Sequence, residues 1–252
     1  MKKRYMLSVA YDGTNYSGFQ VQPGIPTIEG ELNRCLSELL GTSLQVIGAS
    51  RTDAGVHALC NVAVFDADTN IPAEKLSYAL NRYLPEDIRI QASLEVAPDF
   101  HPRHTDSRKT YEYRIVSREF PLPTQRLYAC FTYHKLDVES MRSAAAYLVG
   151  QHDFKSFCAA AAVVESTVRT IYDISVEEQN GAIIIRVCGN GFLYNMVRII
   201  AGTLMEIGRG KWEPDRMQDI LAAKDRKAAG PTAPACGLTL VKYEFSGLTD
   251  TF

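Results

Sequence analysis

An arginine and an aspartate stand two residues apart in the stretch GASRTDAGVHA, Gly48 to Ala58. Arg51 and Asp53 are the only residues of fixed charge between Gly41 and Phe65. An aspartate in a turn of small residues can cap backbone N–H groups that lack partners. It can also stand ionised beside a guanidinium, the state that a nucleophile or general base requires. If the backbone there is extended, positions i and i+2 share a face and the two charges lie on one side. A second charge sits in FLYNMVRIIAGTLM, where Arg198 is the only charged residue from Phe192 to Met205. A helix so apolar all round is predicted to be buried. A buried arginine needs a carboxylate, a phosphate or several acceptors; alternatively it reaches to the helix end or pairs with a structural acid.

Other chemistries find less support. No Ser/His/Asp or Cys/His arrangement is readable, and the glycines form neither a Walker A loop nor GxGxxG. Gly189-Asn190-Gly191 reads as a turn before a helix. The six cysteines show no CxxC spacing and read as reduced, mostly buried cytosolic thiols. The five histidines form no zinc motif, with His101 and His104 beside Pro102 in a loop-like stretch, so no metal site is expected. The net charge of −2 does not announce a nucleic-acid binder. Yet HPRHTDSRKTYEYRIVSR carries five Lys/Arg against two acids, interleaved with tyrosines. That segment is either a solvated surface strand or a local cationic patch, and binding depends on where cations sit. No apolar run approaches the length of a membrane span. The start, MKKRYMLSVAYDG, lacks the long apolar core of a signal peptide.

The elements that must position these charges come in two rounds of similar order. A strand near 4–11 leads to a helix at 27–40, whose Ile28, Leu32, Cys35, Leu36, Leu39 and Leu40 follow a helical period and which stops at Gly41. Strands near 43–49 and 59–66 flank the Asp53 motif. A helix at 72–84 between Pro72 and Pro85, and a strand near 87–95, complete the set. The second round has strands at 110–116 and 126–133, then a helix at 138–149 with Asp137 as N-cap and Gly150 as stop. A hairpin of 169–177 and 182–188 turns at Asn180-Gly181. A long helix at 193–208, a short one near 214–223 and a last strand LTLVKYEF close it. The fold class is therefore α+β, with two ferredoxin-like βαββαβ-type units carrying mixed or antiparallel sheets. The boundary falls near 96–109, giving domains 1–104 and 105–252.

The Asp53 motif, together with YDGTNYSGFQVQ, KTYEYRI and GNGFLYNMVRIIAGTL, closely resembles the TruA family of tRNA pseudouridine synthases. FHPR, GQHDFKSF, VRTI and APACGLTL match in the family's order, and the likeness covers nearly the whole chain. It implies the pseudouridine synthase fold, with the two units joined around a central cleft. It also implies an enzyme that converts uridine to pseudouridine at positions 38, 39 and 40 of the tRNA anticodon stem-loop. The N1–C1′ glycosidic bond breaks and C5 joins C1′, without cofactor or metal, in the cytoplasm, on a homodimer with one tRNA across both subunits. Asp53 matches the catalytic aspartate, as nucleophile or base. Arg198 matches the arginine that pairs with it, and Arg51 the one that helps to flip the nucleotide. Tyr111 matches the tyrosine that stacks on the target base, with removal of the C5 proton as a second role. Leu238 falls where the family packs an apolar residue near the base.

Gln20, Gln22, His57, Arg103 and Lys109 are further candidates for RNA contact. Phe19 stands where the family commonly has tryptophan, which removes an indole N–H. The glycine and alanines around Asp53 then read as clearance for a flipped uridine. Two rival readings remain. One is a non-catalytic RNA-binding module, for which the alternating Tyr111 and Tyr113 speak. The other is an aspartate-dependent hydrolase, against which the lack of a second acid counts.

Overall fold

Alternation of Tyr5, Leu7 and Val9 predicts a half-buried strand, but Met6 and Ser8 are buried too, so both faces of β1 (Lys3–Tyr11) are covered. Such a strand belongs in the middle of a sheet. The computed structural model describes residues 2–159 and 165–248. In it the chain divides into two compact units, Met1–Ser107 with Leu240–Phe252, and Arg108–Thr239.

In the first unit β1 lies between two antiparallel neighbours, β3 (His57–Ala67) and β4 (Ile88–Val96). The first helix, α1 (Ile28–Leu40), starts where the Thr27 hydroxyl accepts the Gly30 N–H at 3.2 Å, and it turns Ile28, Leu32, Cys35 and Leu36 inward. The strand expected at 43–49 shrinks to β2 (Ile47–Gly48), paired with β3. The helix expected at 72–84 is broken: a 3-10 turn (Ala73–Lys75) precedes α2 (Leu76–Leu80). The reason is local. The Ser93 hydroxyl takes the Ser77 N–H, and the Asn81 side chain bonds the N–H and carbonyl of Ile90 just past the helix. Arg4 grips both oxygens of Asp66 at 2.7 Å and the Phe100 carbonyl at 2.8 Å, tying β1 to β3 and to the loop near residue 100.

In the second unit β5 (Ser107–Ser117), β9 (Ala182–Gly189), β8 (Val168–Gln179) and β7 (Gly150–Asp153) lie in that order, each antiparallel to the next. A three-residue strand, β6 (Cys130–Thr132), pairs parallel with β5 where a longer one was expected. Nothing in Gly-Gln-His-Asp suggests β7; pairing with β8 makes it a strand. The helices are α3 (Val138–Ala146), capped by Asp137, α4 (Met196–Gly208) and α5 (Arg216–Ala223). The strand read as the end of the second round, β10 (Leu238–Phe245), has β3 as a neighbour, and from Leu240 on it counts with the first unit. The α+β class holds, with the strand–helix–strand–strand–helix–strand order visible from β1 to β4.

Candidate active site

Among the described residues no strand pairs with Ser50 to Asp53, in the stretch between β2 and β3, yet its residues alternate cleanly. Ser50 and Thr52 are buried, Arg51 is exposed and Asp53 is half-buried. The extended alternation inferred from the i, i+2 spacing therefore exists, with both charges turned away from the core. Side chains supply what a strand would. Asn61, fully buried on β3, donates to the Ser50 carbonyl at 2.9 Å and accepts its N–H at 3.2 Å. The same amide donates to the Tyr11 hydroxyl at 3.1 Å, which lies 2.7 Å from Thr52 Oγ1. Burial raises the Tyr11 phenol, keeping it protonated. On the other side the Phe19 N–H bonds the Thr52 carbonyl at 3.0 Å, and the Val56 N–H bonds the Asp53 carbonyl at 3.2 Å.

Among the RNA-contact candidates of this unit, Arg103 lies with the motif. Its Nε donates to the Gly48 carbonyl at 2.8 Å. Its ionisation is lowered first by burial and then by the like charge of Arg51, against Glu29; a guanidinium stays charged through such a shift. Arg103 and Arg51 are thus close enough for their like charges to be felt. Gln20 is exposed. Gln22 is exposed, but its amide donates to the Ser17 carbonyl at 2.8 Å and braces its own loop. His57 is buried, with Nδ1 at 3.1 Å from both the Gly13 nitrogen and Asp12 Oδ1. That nitrogen accepts from Gly13 when bare and donates to Asp12 when protonated. The ring of Phe19 is buried against Gly48, where an added Cβ would come within 2.1 Å of it. A bicyclic indole would have to find more room than that.

In the second unit Lys109 and Tyr111 stand on β5, opposite Gly189 and Val187. Tyr111 is 8% exposed, and its ring meets Phe192 edge-on at 5.2 Å, on the segment leading into α4. Arg198 sits in the first turn of α4, half-buried, with Nε donating to the Ala233 carbonyl and Nη1 to Asn195 Oδ1, each at 2.8 Å. It neither lies sealed in the core nor runs to the far end of its helix. The first turn carries the positive end of the helix dipole, an unfavourable place for a cation unless an anion is near. Asn195 holds a left-handed φ of 61° at the N-cap and makes no capping bond with its side chain; its carbonyl oxygen serves Arg198 instead. The chain from Ala233 passes Gly237, whose Cβ position lies 2.7 Å from the Tyr113 ring, to buried Leu238.

Asn61, Tyr11, Thr52 and Asn195 carry this geometry and were not singled out from the sequence. A lone asparagine in the apolar run LCNVAVF was the available signal for Asn61.

A family model described as tRNA pseudouridine synthase matches residues 7–104 and 144–246. The chain belongs to the tRNA pseudouridine synthase family. Both matched segments carry charges of interest, Arg51 and Asp53 in one and Arg198 in the other, whereas Lys109 and Tyr111 fall between them. A protein named tRNA pseudouridine synthase A from Thermoanaerobacter sp. (strain X514) is 48% identical over 240 residues, 95% of this chain and 98% of the relative. Namesakes from Brevibacillus brevis and Bacillus pumilus are 48% and 45% identical, over 94% and 92% of this chain and 98% and 95% of theirs. Among the described residues, no group of three His, Cys, Asp or Glu side chains could hold a metal ion. No described helix is long and apolar enough to cross a membrane.

Proposed function

We propose that this protein isomerises uridine to pseudouridine in tRNA, at positions 38, 39 and 40 of the anticodon stem-loop. The observation that carries the reading is the Ser50–Asp53 segment: buried side chains hold its backbone so that one carboxylate and one guanidinium turn outward together. A fold does not need that arrangement for packing, and family membership gives it a use. A glycosidic bond inside a stem is out of reach until its nucleotide is flipped out, at a cost of a few kcal/mol. Arg51, with Arg103 beside it, supplies cations for the backbone of the displaced nucleotide. Tyr111 offers an aromatic face to the unstacked base, and Leu238 an apolar one. Asp53 acts as nucleophile or base, with Arg198 as the cation that keeps it ionised.

The N1–C1′ bond breaks, the uracil turns, and C5 joins C1′; the proton at C5 leaves and N1 gains one, so the atoms balance without a co-reactant. Gln20, Gln22 and Lys109 are assigned to outer RNA contacts, and His57 to the support of the Asp12–Gly13 turn. The protein is proposed to work as a cytoplasmic homodimer with one tRNA across both subunits, which sedimentation with and without tRNA would test.

The deciding experiment uses tRNA labelled with tritium at uracil C5. Release is expected from the wild type and none from Asp53→Asn, with tRNA binding retained. Normal turnover by the variant would refute the role of Asp53. Binding without release by the wild type would favour the RNA-binding module.

A further inference from the structure

We propose that Asn61, Tyr11 and Thr52 form a positioning relay that sets the direction of Arg51 and Asp53. The inference rests on the reading of those two residues as the working groups. Asn61 is 0% exposed and every hydrogen-bonding position of its amide is used. Nδ2 donates to the Ser50 carbonyl and the Tyr11 hydroxyl, while Oδ1 accepts from the N–H groups of Ser50 and Val62. The opposite amide orientation would face NH2 toward two N–H donors, so the network itself fixes the assignment.

A buried backbone unit at Ser50 must have partners, and outside a sheet ladder a side-chain amide can provide both a donor and an acceptor to it. Asn61 does so from the core side. Tyr11, reaching from the end of β1, carries the same amide's influence to Thr52 Oγ1 two residues on. The two held residues, Ser50 and Thr52, bracket Arg51 and lead into Asp53. Holding the even positions inward forces the odd ones outward. None of the three touches a reacting atom in this reading; they act through the segment they hold.

Asn81 makes a natural comparison. It clamps Ile90 by the same donor–acceptor pair, at 2.9 and 2.8 Å, but serves β4 and not the Arg51–Asp53 segment. The test compares tritium release and hydrogen exchange in the full protein. Tyr11→Phe and Thr52→Val should each lower kcat about tenfold with KM for tRNA within about twofold, the pattern of misplaced working groups. The double variant should lose no more than the worse single one, because both break one chain. Thr52→Ser, which restores the hydroxyl, should recover most of the loss of Thr52→Val. Asn81→Ala should lower the melting temperature while leaving kcat at 25 °C unchanged.

Exchange gives a readout independent of turnover: the Ser50 and Phe19 amides should be protected in the wild type and lose protection in Asn61→Ala and Tyr11→Phe. Unchanged protection, wild-type kcat in Tyr11→Phe and Thr52→Val, or losses that multiply would each overturn the relay. Absence of tritium release by the wild type would instead overturn the functional reading, and the exchange result would still decide the relay.

Discussion

Replacing Gly18 with alanine should damage this site through a single carbonyl. Gly18 holds φ at +90°, and a Cβ built on it lies 2.6 Å from the Thr52 carbonyl oxygen, with the Asp53 carbonyl carbon and the Ala54 nitrogen at 3.3 Å. Contacts under 3.0 Å are not tolerated by real Cβ atoms, so backbone must yield by at least 3.0 − 2.6 = 0.4 Å. All three neighbours are backbone, so no rotamer change relieves the collision. The atom pushed away is the one that accepts the Phe19 N–H, one residue before Asp53. Gly24 supplies the reference: its φ is +71° but nothing lies within 4 Å of its Cβ position. Gly24→Ala therefore carries only the strain of a left-handed alanine, about 1 kcal/mol. Gly18→Ala adds overpacking, for a total of about 2–4 kcal/mol. Shifting the segment should also lower kcat by about 10- to 100-fold, given the cost of misplacing groups at a reacting centre. Urea unfolding gives the first number, and tritium release at a temperature where both variants are folded gives the second. If Gly18→Ala matched Gly24→Ala in both, the close packing of Gly18 on the Asp53 segment would have no bearing on the site.

Two further outcomes follow from individual groups. Asn195→Gly should relieve the left-handed backbone at the start of α4, leaving stability within about 1 kcal/mol of the wild type. It removes the oxygen that receives Arg198 Nη1, so kcat should fall while tRNA affinity measured by filter binding holds. At Asp66 the hydrogen bonds from Arg4 hold the carboxyl below its ordinary value of 3.8. A carboxylate lowered in the folded state stabilises it above the unfolded value, and that contribution is lost as the pH falls below about 4. Asp66→Asn should therefore flatten the acid limb of a stability–pH curve while costing about 1 kcal/mol or less at neutral pH, since the pair is partly exposed.

Much of the fold was legible because its signals are local. Thr27 and Gly41 bracket α1, Asp137 caps α3, and Asn180-Gly181 turns the β8–β9 hairpin, each within a few residues of the element it defines. Where the sequence misled, a distant partner decided. Ser93 and Ile90 cut α2 short from a strand ahead in the chain, and β8 makes a strand of Gly150–Asp153. The site divides in the same way. Asp53 and Arg51 could be found because charge is scarce around them, and Arg198 because its helix is otherwise apolar. Asn61, Tyr11 and Thr52 could not, since Tyr11 lies 41 residues from Thr52 and 50 from Asn61 and neither motif names the other. For Arg198 the sequence left open a carboxylate, a phosphate, several acceptors or a helix end. Two neutral acceptors, the Ala233 carbonyl and Asn195, account for part of its donors.

The small residues around Asp53 change meaning once the packing is known. Read along the chain, they suggest empty space for an unstacked base. In the fold, Gly48 is filled by the Phe19 ring, Ala49 and Ala58 are buried, and Gly55 turns the chain at φ +75°. Gly13 presses on the Val56 carbonyl, where a Cβ would come within 2.0 Å. Only Ala54 among them is exposed beside Asp53. Smallness here lets backbone approach backbone, so that the YDG and GFQ segments grip the charged segment from both sides. A loop that must hold one carboxylate and one guanidinium at fixed angles gains more from that grip than from open space. The room for a flipped nucleotide must then lie on the outward side, to which Arg51 and Asp53 already turn.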